Sequence, residues 1–365
     1  MIVMTLMMAS LTCHAQGLKD AMGRYCLIGA ALNQWQSDGQ DAAATAIVRQ
    51  HFNCAVAENC MKSECLQPAE GMFDFRVADK FVDYCQTNHL VAIGHCLVWH
   101  SQAPDWMFTD SNGRLVSRDV LKSRIEKHIA TVVGHYKGRI HGWDVVNEAI
   151  EDDGSFRQSP LYRILGEEFI EIAFRAAHQA DPDAELYYND FSMAKPGKRE
   201  AVCRLVKSLK AKGLRIDAIG MQSHNGIDYP DLQEYEKSID AFAQTGLKVM
   251  ITELDLNVLP NPKSFSGADI SAKFAYDDKM NPYRDGRKVP ADVEKKIRER
   301  MLSFFRIYHK HRDVISRINL WGVSDADSWL NNWPIKGRTN FPLLFDRQYQ
   351  PKQVVQDIIN LYQEQ

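Results

Sequence analysis

Eight short apolar, β-branched runs, separated by stretches of helical spacing, constrain this chain more than any other feature. The runs are Cys26–Leu32, Phe52–Ala57, Val91–Trp99, His141–Asn147, Glu185–Asn189, Ala218–Ser223, Lys248–Leu254 and Ile318–Ser324. Among the helical stretches between them are Val120–Tyr136, Pro160–Gln179, Arg199–Lys212, Leu232–Thr245 and Val293–Arg312. Runs of this kind suit parallel strands buried on both faces, and the alternation with helices supplies the crossovers that parallel strands need. Eight such units in series favour a sheet closed on itself, a single (β/α)8 TIM barrel of the α/β class, over an open sheet. A length of 365 residues would otherwise suggest two or three domains, but single barrels reach this size. No Pro/Ser/Gly-rich tract or repeat marks a further module. The one long irregular stretch, Asn261–Pro290, reads either as a rim loop over the site or as a tolerated insertion.

The leading segment Met1–Thr12 is apolar but shorter than the roughly 20 residues a bilayer core requires, so no stable membrane insertion is expected. Cys13 and Ala15 stand three and one residues before a cut ahead of Gln16. Residues 1–15 therefore read as a signal peptide and 16–365 as the folded domain, with a secreted or periplasmic destination. One feature is missing from that pattern, since the first basic residue, Lys19, falls beyond the cut. A lipid anchor on Cys13 is the weaker reading, because Thr12 precedes it.

Charge and cysteine content narrow the chemistry. With 44 Lys+Arg against 47 Asp+Glu and no basic run, binding by phosphate neutralisation is not expected, and nucleic acid is not an expected partner. Removing Cys13 from the eight cysteines leaves an odd number, which reads as small buried hydrophobes rather than a disulfide framework. Cys54, Cys60 and Cys65 cluster without a Cys-x-x-Cys, and none of the twelve His stands in a His-Glu-x-x-His. Glycine-rich phosphate loops are also missing from the sequence. Neither a metal nor a cofactor is expected, and the chain is expected to act as a monomer.

In a barrel of this type the strand ends and the loops after them face the site. Two carboxylates close apolar runs there: Glu148 in Trp143-Asp144-Val145-Val146-Asn147-Glu148, and Glu253 in Val249-Met250-Ile251-Thr252-Glu253-Leu254-Asp255. The fourth and seventh strands lie on opposite sides of the mouth, so the two acids can face each other across a sugar ring. A separation of about 5–5.5 Å suits a retaining glycosidase, and roughly 6.5–9.5 Å an inverting one. Read singly, each acid could as well cap the next helix. Read together with Asn147, Gln222, His224, His95 and Trp99, all at strand ends, they make a site, because buried polar groups without a purpose cost a few kcal/mol each.

From about Gly29 to Tyr362 the chain resembles the endo-β-1,4-xylanases of glycoside hydrolase family 10. The resemblance rests on six blocks in order: Phe52-Asn53 with Glu58-Asn59-x-Met61-Lys62; Gly94-His95-x-Leu97-Val98-Trp99-His100-Ser101-Gln102-x-Pro104-x-Trp106; Trp143 to Glu148; Gly220-x-Gln222-Ser223-His224; Ile251-Thr252-Glu253-Leu254-Asp255; and Trp321-Gly322-Val323-Ser324-Asp325-x-x-Ser328-Trp329-Leu330. It implies Glu148 as general acid/base and Glu253 as nucleophile, with His224 and Asp255 supporting the nucleophile. It further implies that Glu58, Asn59, Lys62, His95, Trp99, Gln102, Asn147, Gln222 and His224 bind xylan or xylo-oligosaccharide hydroxyls, and that Trp321 and Trp329 lie against the sugars. Lys62 could alternatively be a solvated rim lysine, and Trp35 and Trp143 are expected in the core. The chain departs from the family at Asn189-Asp190-Phe191-Ser192, where Phe191 and Ser192 replace the usual Tyr and Asn on the leaving-group side. The alternatives are a β-1,4-glucan-active hydrolase of the same fold, or a carbohydrate-binding protein without activity.

Overall fold

The computed structural model describes residues 16–262, 270–284 and 288–364. The leader read at 1–15 and parts of the Asn261–Pro290 stretch lie outside the described residues. Nine strands are present among the described residues: β1 (Leu27–Leu32), β2 (Cys54–Ala57), β3 (Val91–Val98), β4 (Gly142–Asn147), β5 (Glu185–Asp190), β6 (Ala218–Met221), β7 (His224–Gly226), β8 (Lys248–Asn257) and β9 (Ile315–Leu320). All pair in parallel, and the pairs β1–β9 and β6–β8 close eight of them into a ring. The expected (β/α)8 barrel is therefore present. The three-residue β7 is no stave of that ring; it pairs with the mouth end of β8, His224 opposite Asp255.

Side chains alternate across the staves with the period of two that a strand imposes. Ile28, Ala30 and Leu32 of β1 pack outward into the large core shared with the helices, and Ala31 packs inward. A second cluster of Ala31, Val56, Ile93, Tyr187, Ala218, Met250 and Trp321 fills the barrel axis, so small residues leave room for large ones. At Gly94, on the outward face, an added Cβ would lie 2.0 Å from the Trp143 ring, so the glycine admits that indole. Trp143 is buried as expected, whereas Trp35, also expected in the core, is 62% exposed on the short helix Gln34–Ser37 after β1.

Three boundaries differ from the sequence reading. The sixth run stops at Met221 because Ser223 adopts φ +63, a left-handed conformation that turns the chain into β7. The eighth run forms β9, which begins at Ile315, three residues before the run was expected to start, and ends at Leu320. Its early part was hidden by Arg317, which is buried inside the barrel beneath the Tyr187 ring at 5.3 Å. Pro160–Gln179 is two helices, Pro160–Leu165 and Glu168–Ala180, parted at Gly166 with φ +63. The seven cysteines among the described residues are free thiols.

Candidate active site

The carboxylate of Glu148 sits one residue past the end of β4, with its backbone at φ +58. A left-handed non-glycine residue costs on the order of 1–3 kcal/mol and persists only where its surroundings impose it. The side chain is buried and ringed by donors: Trp99 Nε1 donates to Oε2 at 2.9 Å, and Gln222 Nε2 and Asn147 Nδ2 donate to Oε1 at 2.9 and 3.2 Å. Burial raises its pKa to about 7, assisted by the negative charges of Asp190 and Glu253, while the Gln222 and Trp99 hydrogen bonds pull the other way. The acid therefore changes protonation state near neutrality.

Glu253, on β8, is equally buried yet held on the ionised side. Burial pushes its pKa up, but the His224 hydrogen bond, the charges of His95 and His224 and the Asn189 amide together bring it below the ordinary carboxylate value. His224 Nε2 lies 3.1 Å from Glu253 Oε2, and Nδ1 lies 3.0 Å from Asp255 Oδ2. Burial alone would lower the His224 pKa; the Asp255 and Glu253 carboxylates overcome it and raise the value to about 10. At neutral pH this is an anion–cation–anion row, so the imidazole donates from both nitrogens. Asn189 Nδ2 donates to Glu253 Oε1 at 2.8 Å and to Asn147 Oδ1 at 2.9 Å, which links the two carboxylates through a pair of amides.

One wall of the cleft is polar and the floor aromatic. Lys62 is buried, not solvated: its ammonium donates to Asn59 Oδ1 at 2.8 Å and Gln102 Oε1 at 2.7 Å, and stands 5.0 Å over the Trp99 ring. Glu58 lies beside it, its pKa raised by burial against the pull of Lys62. His95 is fixed by Asp144, Nδ1 to Oδ2 at 2.9 Å. Trp321 closes the barrel axis below the cleft, and Trp329 lies against the His224 ring while its indole N–H donates to Asp255 Oδ2 at 2.7 Å. A cleft rimmed by hydroxyl-binding groups over aromatic faces suits a sugar chain, whose rings present hydroxyl edges and apolar C–H faces.

Comparison with known proteins settles the lineage of this arrangement. The profile of glycosyl hydrolase family 10 matches residues 17–361. The chain belongs to that family. It is 53% identical over 361 residues to an endo-1,4-beta-xylanase A of Xylanibacter ruminicola, covering 99% of this chain and 97% of that protein. A family 10 endoxylanase retrieved from a sugarcane soil metagenome superposes with a TM-score of 0.89 at 42% identity, covering 95% of this chain and all (100%) of that one. An intracellular xylanase from Thermoanaerobacterium saccharolyticum superposes with a TM-score of 0.81 at 35% identity, covering 94% and 98%.

This family 10 cleft gathers every residue expected at the site except Asp255, which stands behind His224, and it adds Ile270. The described part of the Asn261–Pro290 stretch thus contributes to the rim of the cleft. Two expected sugar-binding groups are already engaged: the Trp99 N–H and the Gln222 amide both donate to Glu148. Sequence reasoning did not single out Asn189, Thr252 or Asp144 as site residues. Thr252 Oγ1 donates to Asn189 Oδ1 at 2.6 Å, which turns the Asn189 amide nitrogen toward Glu253. The available signal was inward register: Asn189 and Asp144 occupy the barrel-facing positions of β5 and β4, as His95 does on β3.

Proposed function

We propose that the chain is a retaining endo-β-1,4-xylanase that cleaves internal xylosidic bonds of xylan by double displacement. The observation that carries this reading is the opposed electrostatics of two carboxylates in one cleft, Glu148 protonating near pH 7 and Glu253 held ionised. Two acids with divided protonation states are what acid-assisted nucleophilic cleavage requires.

Glu253 attacks the anomeric carbon while Glu148 protonates the departing glycosidic oxygen, which leaves a glycosyl ester on Glu253. Glu148, now ionised and stabilised by Gln222, Asn147 and Trp99, takes a proton from water as that water opens the ester with a second inversion. His224, held by Asp255, keeps Glu253 from protonating. Asn147, beside Glu148, meets the 2-hydroxyl, whose hydrogen bond strengthens in the transition state. Glu58, Asn59, Lys62, Gln102 and His95 bind glycone hydroxyls, and Trp321 and Trp329 support the rings. No step calls on a metal or cofactor, and the chain is proposed to act as a monomer. Nucleic acid is not a partner of this reading, given the near-neutral charge. The segment 1–15 supports export, to the periplasm or beyond.

Glu253→Ala is expected to abolish turnover of all substrates. Glu148→Ala is expected to spare the first step on aryl xylobiosides whose leaving group needs no proton, and to lose it on xylan. Equal loss on both substrate types refutes the assignment. Early products on glucuronoxylan and arabinoxylan are expected as β-configured xylo-oligosaccharides of mixed length; cleavage of carboxymethyl cellulose alone would instead make the chain a glucanase.

A further inference from the structure

The left-handed backbone at Glu148 is held from behind by groups of β5 and by Arg157, none of which lines the cleft. From β5, the Asn189 carbonyl accepts the Glu148 N–H at 2.9 Å, the Tyr188 hydroxyl oxygen accepts the Ala149 N–H at 3.2 Å, and Asp190 Oδ2 accepts the Ile150 N–H at 3.3 Å. From the other side, Arg157 Nε donates to the Glu148 carbonyl at 3.0 Å. Three consecutive backbone N–H groups are thus satisfied by three consecutive residues of the neighbouring strand.

The middle and last of these acceptors are themselves oriented. Tyr188 commits its hydroxyl proton to Asp190 Oδ2 at 2.6 Å, so its lone pairs face Ala149. Asp190 Oδ1 accepts from Lys198 Nζ at 2.9 Å and from the Phe191 N–H at 2.9 Å. Lys198 is wholly buried, 3.6 Å from Asp152 Oδ1 and 4.1 Å over the Phe191 ring. A fully buried ion pair is poor value for stability, since an apolar pair of the same volume packs as well or better. Its distinctive product here is direction: a carboxylate locked with one oxygen toward Lys198 and the other toward Tyr188 and Ile150.

We infer that Lys198, Asp190 and Tyr188 form a positioning unit for Glu148, fixing residues 148–150 so that the Glu148 carboxyl is aimed at the leaving-group oxygen. The inference rests on Glu148 being the acid/base. Lys198 orients Asp190, Asp190 orients Tyr188, and both acceptors hold the backbone that carries the acid. None of the three touches substrate.

The test is Tyr188→Phe, which removes one hydroxyl and leaves the charges of Asp190 and Lys198 in place. Misplacing a catalytic group by a fraction of an ångström to an ångström costs tenfold to about a hundredfold in rate. The expected result is a loss of about tenfold or more in kcat on xylan with KM little changed. The pre-steady-state burst of dinitrophenolate from 2,4-dinitrophenyl β-xylobioside, whose departure needs no proton, is expected to change less than twofold. Glu148→Ala is run beside it; if Tyr188→Phe melts below the assay temperature, Asp190→Asn replaces it, with kcat read at the plateau of that variant's own pH profile so that the lost Asp190 charge on the Glu148 pKa does not count. A substrate split in both Glu148→Ala and the positioning variant supports the inference. A split in Glu148→Ala alone overturns the inference and leaves the acid/base reading standing. No split in Glu148→Ala overturns both.

Discussion

The protonation state of Glu148 has a consequence for stability that Glu148→Gln makes measurable. In the folded protein burial raises this carboxyl from 4.5 to about 7. A raised carboxyl binds its proton more tightly folded than unfolded, so its contribution to stability is fully present below about pH 4.5 and is lost as pH rises through about 7. The interval spans about 2.5 pH units, and at roughly 1.4 kcal/mol per unit the native state loses about 3 kcal/mol at this one site between pH 4 and pH 8. Glutamine is neutral throughout and carries no such loss. It does set an amide N–H against one of the donors Trp99, Asn147 or Gln222, at a cost of about 1–3 kcal/mol, but that cost is the same at both pH values and cancels in the comparison. Urea unfolding of both proteins at pH 4 and pH 8 is the assay. The stability difference, variant minus parent, is expected to rise by about 3 kcal/mol from the lower to the higher pH, while the variant has lost activity. A difference independent of pH would refute the reasoning, because it would mean that Glu148 ionises in the fold as readily as in the unfolded chain.

Asp255→Asn removes the charge that keeps His224 protonated against burial, so the Glu253 pKa rises, the acid limb of the kcat/KM profile moves to higher pH, and activity near pH 5 falls about tenfold or more; an unmoved limb would refute this. Lys62→Met removes the cation bonded to Asn59 and Gln102 and is expected to raise KM for xylo-oligosaccharides several-fold with kcat within about twofold, read from initial rates. Trp143→Ala opens a cavity behind β4 and is expected to cost about 3–5 kcal/mol in denaturant unfolding, whereas Trp35→Ser, at an exposed ring, is expected to stay within about 0.5 kcal/mol of the parent.

Strand burial is what made the barrel legible: staves apolar on both faces stand out as runs, and the carboxylates stand out because they end those runs. The same rule failed where polar groups enter the barrel. Arg317 and Asn319 face inward on β9 and broke its hydrophobic pattern, so the strand was read three residues late. Ser223 looked like a strand residue because φ is invisible in composition, yet its left-handed turn is what brings His224 opposite Asp255. The side chains of Asn189 and Asp144 act on other side chains of the site, and roles of that kind emerge from contacts between strands distant in sequence. Trp35 shows the opposite failure: a lone indole, expected in the core as large apolar rings usually are, lies at the surface because the helix Gln34–Ser37 buries Gln36 and Ser37 instead.

Trp321 belongs at once to the packing of the barrel axis and to the floor of the cleft. Trp329, half-buried and bonded to Asp255, floors the cleft without joining that axial cluster as a buried member. Laboratory evolution toward other polysaccharides will therefore meet different penalties at the two indoles. Exchanges at Trp321 tax the whole scaffold, so they will survive selection only after stabilising substitutions elsewhere, while exchanges at Trp329 draw mainly on local chemistry and can be explored first.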